Sequence, residues 1–197
     1  MENNKPLVVI SHRASDINTL IQLKREFGLN MVISGATEAW MLRDELSAEG
    51  IPVIMDPLEN LPSNFDRLGA RLDSAGMLQQ AGVKLMFTNY STSSTHNPYL
   101  VRISAGNAVA YGMSAIEAIK AMTLYPAEVF GFADQYGTVE VGKVADLVVW
   151  DGDPLEIMTS ASTVIINGEI IPMVSRSTRL RDRYRDLDST VPFIFRR

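Results

Sequence analysis

Short apolar runs alternate with longer amphipathic stretches over the first two thirds of the chain. Helical spacing of the apolar positions predicts helices at about 15–27, 37–48, 65–80, 99–112, 114–124 and 126–130. Ser15 or Asp16 is expected to cap the first helix and Gly28 to end it. Four apolar runs have the length and composition of buried strands: Pro6–Ile10, Leu29–Ser34, Ile51–Met55 and Val83–Phe87. Four β–α units in succession predict an α/β fold with parallel strands and helical crossovers.

The pattern changes after residue 135. Residues 137–142, 145–150 and 162–171 are strand-like, and Asn167-Gly168 is a strong hairpin signal. We therefore expect an α/β region at 1–134, a small β module at 135–175 and an Arg-rich tail at 176–197. The tail has seven Arg against three Asp. This composition favours a solvated helix with Arg–Asp pairs, and the alternative is a phosphate- or partner-binding arm.

Composition narrows the function classes. The 197 residues are 46% hydrophobic and 21% charged, which is an ordinary globular balance, and the net charge of −5 gives no reason to expect a nucleic acid partner. The chain has no cysteine, so disulfides, thiol catalysis and cysteine-based metal sites are excluded. Its only histidines are His12 and His96, too few for a site with three imidazole ligands. No Gly-rich phosphate loop is present, so nucleotide binding is unsupported.

The start of the chain shows no targeting or membrane signal. Its first apolar run, Leu7–Ile10, is too short for a signal peptide or a membrane-spanning helix. On this basis we expect a cytoplasmic protein with no membrane partner.

Several segments together carry a family resemblance. Thr123–Gly131 follows the pattern T-x-x-P-A-x-x-x-G, and Tyr136–Pro154 contains G-x-x-x-x-G-K-x-A-D-L-V-V-W. Both resemble the C-terminal signature of the amidohydrolase superfamily. The segments that resemble its imidazolonepropionase-like branch are Arg13–Ile17, Gly35–Trp40, Asp56–Leu58 and Ala105–Gly112. The resemblance runs from about residue 6 to residue 186.

The resemblance implies half of a (β/α)8 TIM-type barrel, strands 5–8, followed by a small β module from the family's β-sandwich domain. It also implies metal-dependent hydrolysis of non-peptide C–N bonds in amides, cyclic amides or ureas, with zinc or another divalent metal. The family's His-x-His of strand 1 and the bridging Lys or Glu of strand 4 would lie before Met1. We therefore expect the chain alone to bind no metal and to be inactive.

The resemblance also indicates where metal ligands would stand in this half. It places the strand 5 histidine at Ile10 and the strand 6 position near Ser34-Gly35, neither of which offers an imidazole. His12 lies two residues beyond Ile10, on the same face and nearer the barrel mouth. His12 is thus a candidate metal ligand in a displaced position, and the alternative is a histidine bonded to a loop carbonyl.

The loop after the fourth strand should carry the family's aspartate, which holds metal and takes a proton from water. No Asp or Glu lies between Asp73 and Glu117. His96 matches a family His-Asn pair and is a candidate replacement base, with a structural hydrogen bond as the alternative. The candidate substrate-binding residues are Arg13, Asn89, His96 and Asn97.

Three hypotheses follow. The chain is one part of a hydrolase whose metal-binding half is another polypeptide, or it is a non-catalytic remnant or structural subunit. A free-standing α/β binding module would account for the first 112 residues but not for the Gly-Lys-Val-Ala-Asp-Leu segment. A half-barrel leaves two open strand edges and an uncovered apolar inner face. The expected partners are therefore a second copy or a complementary N-terminal-half chain.

Overall fold

The computed structural model describes residues 5–59, 61–89 and 98–185. Its first sheet has four parallel strands in the order β1-β2-β3-β4, which confirms the parallel strands expected from the apolar runs. The bounds are Leu7–Ser11 for β1, Met31–Gly35 for β2, Val53–Met55 for β3 and Leu85–Phe87 for β4. The sheet is not closed, because β1 and β4 each pair with one strand among the described residues.

Helices connect and follow these strands. Their bounds are Ala14–Phe27 for α1, Arg43–Ala48 for α2, Ser74–Gln80 for α3, Leu100–Ala110 for α4, Ala115–Met122 for α5, Leu124–Phe130 for α6 and Arg176–Arg185 for α7. The cap of α1 differs from expectation. Its N-cap is Arg13 rather than Ser15 or Asp16, and the Ala14 N–H donates to a Glu38 carboxylate oxygen at 2.8 Å. Gly28 ends α1 with φ +62°, as expected.

Two predicted helices are shorter than the sequence pattern suggests. Residues 37–48 form a 3₁₀ turn at Ala39–Leu42 before α2, and residues 65–80 form a 3₁₀ turn at Phe65–Arg67 before α3. Tertiary contacts explain the second interruption. The Gly69 carbonyl accepts a hydrogen bond from the Trp40 indole at 3.0 Å, and the Arg71 guanidinium lies 4.6 Å from the centre of the Trp40 ring. These contacts fix residues 69–71 against the preceding turn.

One face of the parallel sheet forms the main core. Met31 and Ile33 of β2, Val53 of β3 and Leu85 of β4 pack with side chains from α1, α2 and α3. All four are almost fully buried. Burial of each such side chain contributes about 1.5–3 kcal/mol, so this face supplies much of the stability of the region.

Alternation along the strands places another row of side chains on the opposite face. Ile10, Ser34, Ile54 and Met86 are register partners across the four strands. The expectation of an uncovered inner face holds only at β1, where Ile10 is 74% exposed, whereas Ser34 and Met86 are buried. The edge strand β4, like β1, has one strand neighbour among the described residues, but α4, α5 and α6 also contact it.

A second, antiparallel sheet follows. Its strands are β5 at Leu147–Trp150, β6 at Ala161–Ile166 and β7 at Glu169–Ile171. Asn167 and Gly168 join β6 to β7 with φ values of +52° and +82°, which confirms the predicted hairpin.

The expected strand at 137–142 is wrong. These residues form turns and irregular backbone. Gly137 packs so closely on α6 that a Cβ there would lie 3.0 Å from the Leu124 Cα. This close contact, together with positive φ at both Gly137 and Gly142, prevents a regular strand.

The Arg-rich helix α7 matches the predicted solvated helix with Arg–Asp pairs. None of its described residues is buried, and Arg181 and Asp182 form an exposed ion pair at 2.7 Å. No helix among the described residues is long and apolar enough to cross a membrane.

Helix α4 links the two sheets through the loop after β5. The Arg102 guanidinium donates to the carbonyls of Pro154 at 2.7 Å and Glu156 at 2.6 Å. Gly106, one turn further along α4, approaches this loop so closely that a Cβ would lie 2.2 Å from the Leu155 carbonyl oxygen.

This close approach predicts that Gly106→Ala destabilises the protein by about 1–3 kcal/mol, because the loop must move away from α4. Urea unfolding measures the change. Gly28→Asn is the control, since its side chain enters open space and Asn tolerates the left-handed backbone of that position. Equal stability of the Gly106→Ala variant and the parent would contradict the close packing.

Candidate functional site

Polar side chains gather where β1 and β2 end. The turn after β2 is held against the end of β1 by two backbone hydrogen bonds, from Ala36 N–H to the Ser11 carbonyl at 2.7 Å and from Glu38 N–H to the His12 carbonyl at 2.9 Å. The carboxyl ends of parallel strands are where α/β folds place their binding sites. This edge of the sheet is therefore the candidate site.

Both ring nitrogens of His12 have partners within the chain. Nδ1 lies 2.8 Å from the Thr37 hydroxyl, and Nε2 lies 3.3 Å from Nη2 of Arg67. A guanidinium can only donate, so Nε2 must accept and the ring proton belongs on Nδ1. His12 is thereby fixed as a neutral imidazole between a hydroxyl and a cation.

The surroundings of His12 favour the neutral ring. Burial, and then the positive charge of Arg67, lower the pKa of His12 below its usual value, against a smaller opposing effect of Asp66. The ring also lies directly on β2, since a Cβ at Gly35 would come within 2.5 Å of the imidazole Cε1. Gly35, with φ +89°, thus makes room for His12.

Arg67 connects His12 to a carboxylate. Its Nη1 donates to Glu59 in a half-buried ion pair. Burial raises the pKa of Glu59, the charge of Arg67 opposes that rise, and the negative charge of Asp56 adds to it. Glu59, Arg67, His12 and Thr37 form one continuous chain of polar contacts, which we call the mouth cluster.

Arg13, a candidate for substrate binding, lies beside this cluster. Its guanidinium pairs with Asp66 at 2.5 Å, and both side chains are about half exposed. Arg13 therefore ties the Phe65–Arg67 turn to the end of β1 while keeping part of its surface accessible. An exposed ion pair of this kind contributes at most about 1 kcal/mol.

The remaining sequence candidates lie around β4. Asn89 follows β4 by two residues and is half-buried. His96 and Asn97 lie outside the described residues.

Sequence reasoning missed Arg67, Glu59 and Asp56. Asp56 is a buried carboxylate at the end of β3, where it accepts from the Leu58 N–H at 3.0 Å and from the Ser104 hydroxyl at 3.4 Å. Its position two residues beyond Ile54 is a signal that could have located it on the same side of the sheet. Glu59 lies in the loop after β3 and Arg67 at the start of the helix predicted at 65–80, and neither position carries a signal for contact with His12.

The described residues do not fit a catalytic metal. Among residues 5–59, 61–89 and 98–185, no three His, Cys, Asp or Glu side chains stand together as a ligand group. The position where the resemblance expects a histidine ligand holds Ile10, which has no donor atom. His12, the candidate ligand, faces the Arg67 guanidinium instead.

Comparison with known proteins identifies the family. A family model described as "Amidohydrolase family" matches residues 8–171. The chain belongs to the amidohydrolase family. Imidazolonepropionase of Sphingopyxis alaskensis is 34% identical over 92 residues, which are 45% of this chain and 22% of that protein. An imidazolonepropionase of Maricaulis maris is 31% identical over 97 residues, 48% of this chain and 24% of that protein. The matches thus span less than a quarter of these amidohydrolase relatives.

Solved structures show the same relation in three dimensions. An amidohydrolase from Thermotoga maritima superimposes with a TM-score of 0.76 and 31% identity, covering 85% of this chain and 43% of that one. An adenosine deaminase from Xanthomonas campestris with bound zinc has a TM-score of 0.60 and 21% identity, covering 90% of this chain and 49% of that one. The second likeness shows the fold alone. This amidohydrolase chain therefore corresponds to slightly less than half of each of these structures.

The contact between Arg67 and His12 predicts that Arg67→Met raises the pKa of His12, because the variant removes the guanidinium charge that disfavours imidazolium. Proton NMR titration follows the two histidines, and His96→Gln assigns their signals. Arg25→Met is the control, because it also removes an arginine from an ion pair, the one that Arg25 of α1 forms with Glu49. An unchanged pKa of His12 in the Arg67→Met variant would refute the contact.

The lowered pKa of His12 also predicts a pH dependence of stability. At a pH below 6.5, the usual pKa of this side chain, His12 of the unfolded chain binds a proton that the folded site resists. The free energy of unfolding therefore falls as the pH decreases through this range. The urea midpoint should therefore fall further between pH 7.5 and pH 5.5 in the parent than in His12→Gln. Glu59 acts in the opposite direction, since its raised pKa favours the folded state on acidification, but it is present in both proteins. An equal fall of the urea midpoint in the parent and in His12→Gln would contradict the lowered pKa of His12.

Proposed function

We propose that this chain provides the second half of an amidohydrolase barrel, with β1–β4 in the places of strands 5–8 and β5–β7 as part of the β-sandwich. The sequential order of four parallel strands supports this assignment. So does the coverage of less than half of the Thermotoga structure. Eight strands close a barrel of this type, and four are described here.

The family chemistry that a complete barrel would perform is hydrolysis of non-peptide C–N bonds in amides, cyclic amides or ureas, using zinc or another divalent metal. The relatives named imidazolonepropionase support a cyclic amide as the substrate class. Arg13 and Asn89, with His96 and Asn97, remain the candidates for contact with substrate. Of these, Arg13 stands at the edge of the sheet beside the mouth cluster.

We propose further that this chain does not hydrolyse such bonds by itself. The observation that carries this proposal is the position of the Arg67 guanidinium 3.3 Å from Nε2 of His12. A metal ion needs the lone pair that this hydrogen bond uses, and the permanent positive charge of Arg67 repels a cation at the same place. The mouth cluster instead acts as a structural clamp, which holds the Phe65–Arg67 turn against β1.

A second candidate function is that of one subunit in a two-chain hydrolase, in which a complementary N-terminal-half polypeptide supplies the metal ligands. The two open edges of the parallel sheet favour this candidate. In such an assembly the mouth cluster would lie opposite the metal-binding half of the site.

Zinc titration tests the absence of a metal centre in the chain. Isothermal titration calorimetry with zinc chloride at pH 7.5 should show no one-to-one site, and His12→Gln should give the same weak heats as the parent. Cyclic amides and phenylureas incubated with the chain and zinc should hydrolyse no faster than in buffer with zinc. A one-to-one zinc site that disappears in His12→Gln would overturn the proposal, as would turnover that depends on that histidine.

A further inference from the structure

Glu38 contacts each of the segments that meet at the candidate site. It is half-buried in the turn after β2, and it forms hydrogen bonds with the end of β1 and with the start of α1. Its methylene groups lie against Gly69, which follows the turn that carries Arg67. Glu38 therefore stands behind the mouth cluster without belonging to it.

Two hydrogen bonds of Glu38 enclose Arg13. The Glu38 N–H donates to the His12 carbonyl at 2.9 Å, and the Glu38 Oε2 accepts from the Ala14 N–H at 2.8 Å. Arg13 lies between these two bonds in an extended conformation, with φ −78° and ψ 141°. The peptide units on both sides of Arg13 are thereby fixed, and with them the directions in which the side chains of His12 and Arg13 leave the backbone.

The carboxylate of Glu38 supplies a cap that α1 lacks. The N-cap residue of α1 is Arg13, whose side chain makes no capping hydrogen bond and can only donate. A carboxylate at the first N–H groups of a helix satisfies a donor that has no partner within the helix, and the positive end of the helix dipole favours its charge. Glu38 provides this carboxylate from 24 residues further along the chain. The start of α1 is thus tied to the turn after β2.

The methylene groups of Glu38 contact the opposite side of the site. A Cβ at Gly69 would lie 2.6 Å from the Glu38 Cγ, so this glycine leaves room for the side chain. The Gly69 carbonyl accepts from the Trp40 indole, and the next residue, Ala70, donates its N–H to the Arg67 carbonyl at 3.1 Å. The side chain of Glu38 therefore separates the start of α1 from the segment that carries Arg67.

We propose that Glu38 is the positioning residue of the candidate site. Its carboxylate fixes the end of β1 and its methylene groups fix the Arg67 segment, so that His12 meets Arg67 and Arg13 meets Asp66. This proposal rests on the proposed function in two respects, the mouth cluster as a clamp and Arg13 as a contact for substrate. It adds a residue that acts through both and requires an oxygen acceptor at this position but no charge.

The tautomer of the His12 ring reports whether this geometry is kept. Because Arg67 donates to Nε2, the ring proton is held on Nδ1. Nitrogen-15 chemical shifts distinguish the two tautomers of a neutral imidazole. A long-range proton–nitrogen NMR spectrum, recorded where the ring is neutral, measures the Nδ1–H form, and His96→Gln assigns the signals. A loss of stability that leaves the chain folded with His12 against Arg67 does not move this readout.

Two variants of Glu38 separate geometry from charge. Glu38→Ala removes the acceptor and most of the contact with Gly69, whereas Glu38→Gln keeps the methylene groups and an amide oxygen that can accept from Ala14. We expect the Nδ1–H form alone in the parent and in Glu38→Gln, and both tautomers in Glu38→Ala. Glu45→Ala is the matched control, because it removes an exposed carboxylate from α2, and it should keep the Nδ1–H form.

Ala14→Pro tests the same hydrogen bond even where Glu38→Ala fails to fold. Proline lacks the N–H that Glu38 accepts, yet it suits the first position of a helix. The extended backbone of Arg13 is also the conformation that a following proline favours. This variant should keep the far-ultraviolet circular dichroism spectrum of the parent and show both tautomers of His12.

The outcomes distinguish this proposal from the one on which it rests. The Nδ1–H form alone in folded Glu38→Ala or in Ala14→Pro, or its loss in Glu38→Gln, would overturn the positioning role. Arg67→Met tests the mouth cluster itself and should show both tautomers whatever Glu38 does. If Arg67→Met keeps the Nδ1–H form alone, the contact of Arg67 with His12 is wrong and the positioning role falls with it. None of these spectra depends on zinc, so the proposed lack of a metal centre stands or fails separately.

Discussion

Burial of one face of the parallel sheet beneath α1, α2 and α3 is the constraint on which the rest of the structure depends. Met31, Ile33, Val53 and Leu85 all lie in that layer and are almost fully buried. Because side chains alternate along a strand, fixing this face also fixes the row of Ile10, Ser34, Ile54 and Met86 on the other side. The same alternation, taken two residues beyond Ile10, places His12 just past the end of β1. The buried face thus determines which polar side chains lie at the carboxyl ends of the strands.

The same constraint leaves the edges of the sheet unequal. The strands β2 and β3 have neighbours on both sides, and almost all of their residues are buried. The β1 edge has one neighbour and exposes Leu7, Val8 and Ile10. Within the parallel sheet, apolar exposure is therefore found at β1, whereas Leu85, Met86 and Phe87 of the other edge strand, β4, are buried.

The sequence pattern predicted those elements whose structure depends on neighbouring residues in the chain. Each strand of the parallel sheet is an apolar run, and Asn167-Gly168 supplies the two positive φ values that its hairpin needs. It was insufficient where a distant contact decides. The helix expected at 65–80 is interrupted where Trp40 binds the Gly69 carbonyl, and the strand expected at 137–142 is lost where Gly137 meets α6.

The candidate site also contains residues that the sequence pattern locates and residues that it does not. Period-2 alternation was enough to place His12 at the edge of the sheet, and Arg13 follows it directly. Their partners Arg67 and Asp66 lie more than 50 residues further along the chain, at the start of the helix predicted at 65–80. Only the path of the chain between β3 and α3 brings these residues together, and no local pattern records that path.

The charged groups of the mouth cluster explain how the cluster holds the Phe65–Arg67 turn against β1 and why it disfavours a metal ion. Arg67 is paired with Glu59, Arg13 is paired with Asp66, and the lowered pKa keeps His12 neutral. Each of the two arginines is therefore compensated by a paired carboxylate. A metal ligand set would instead present uncompensated carboxylates and free imidazole nitrogens to attract a cation. The hydrogen bond from Arg67 that helps to hold the Phe65–Arg67 turn against β1 is thus the same feature that uses the Nε2 lone pair of His12, which a metal ion would need.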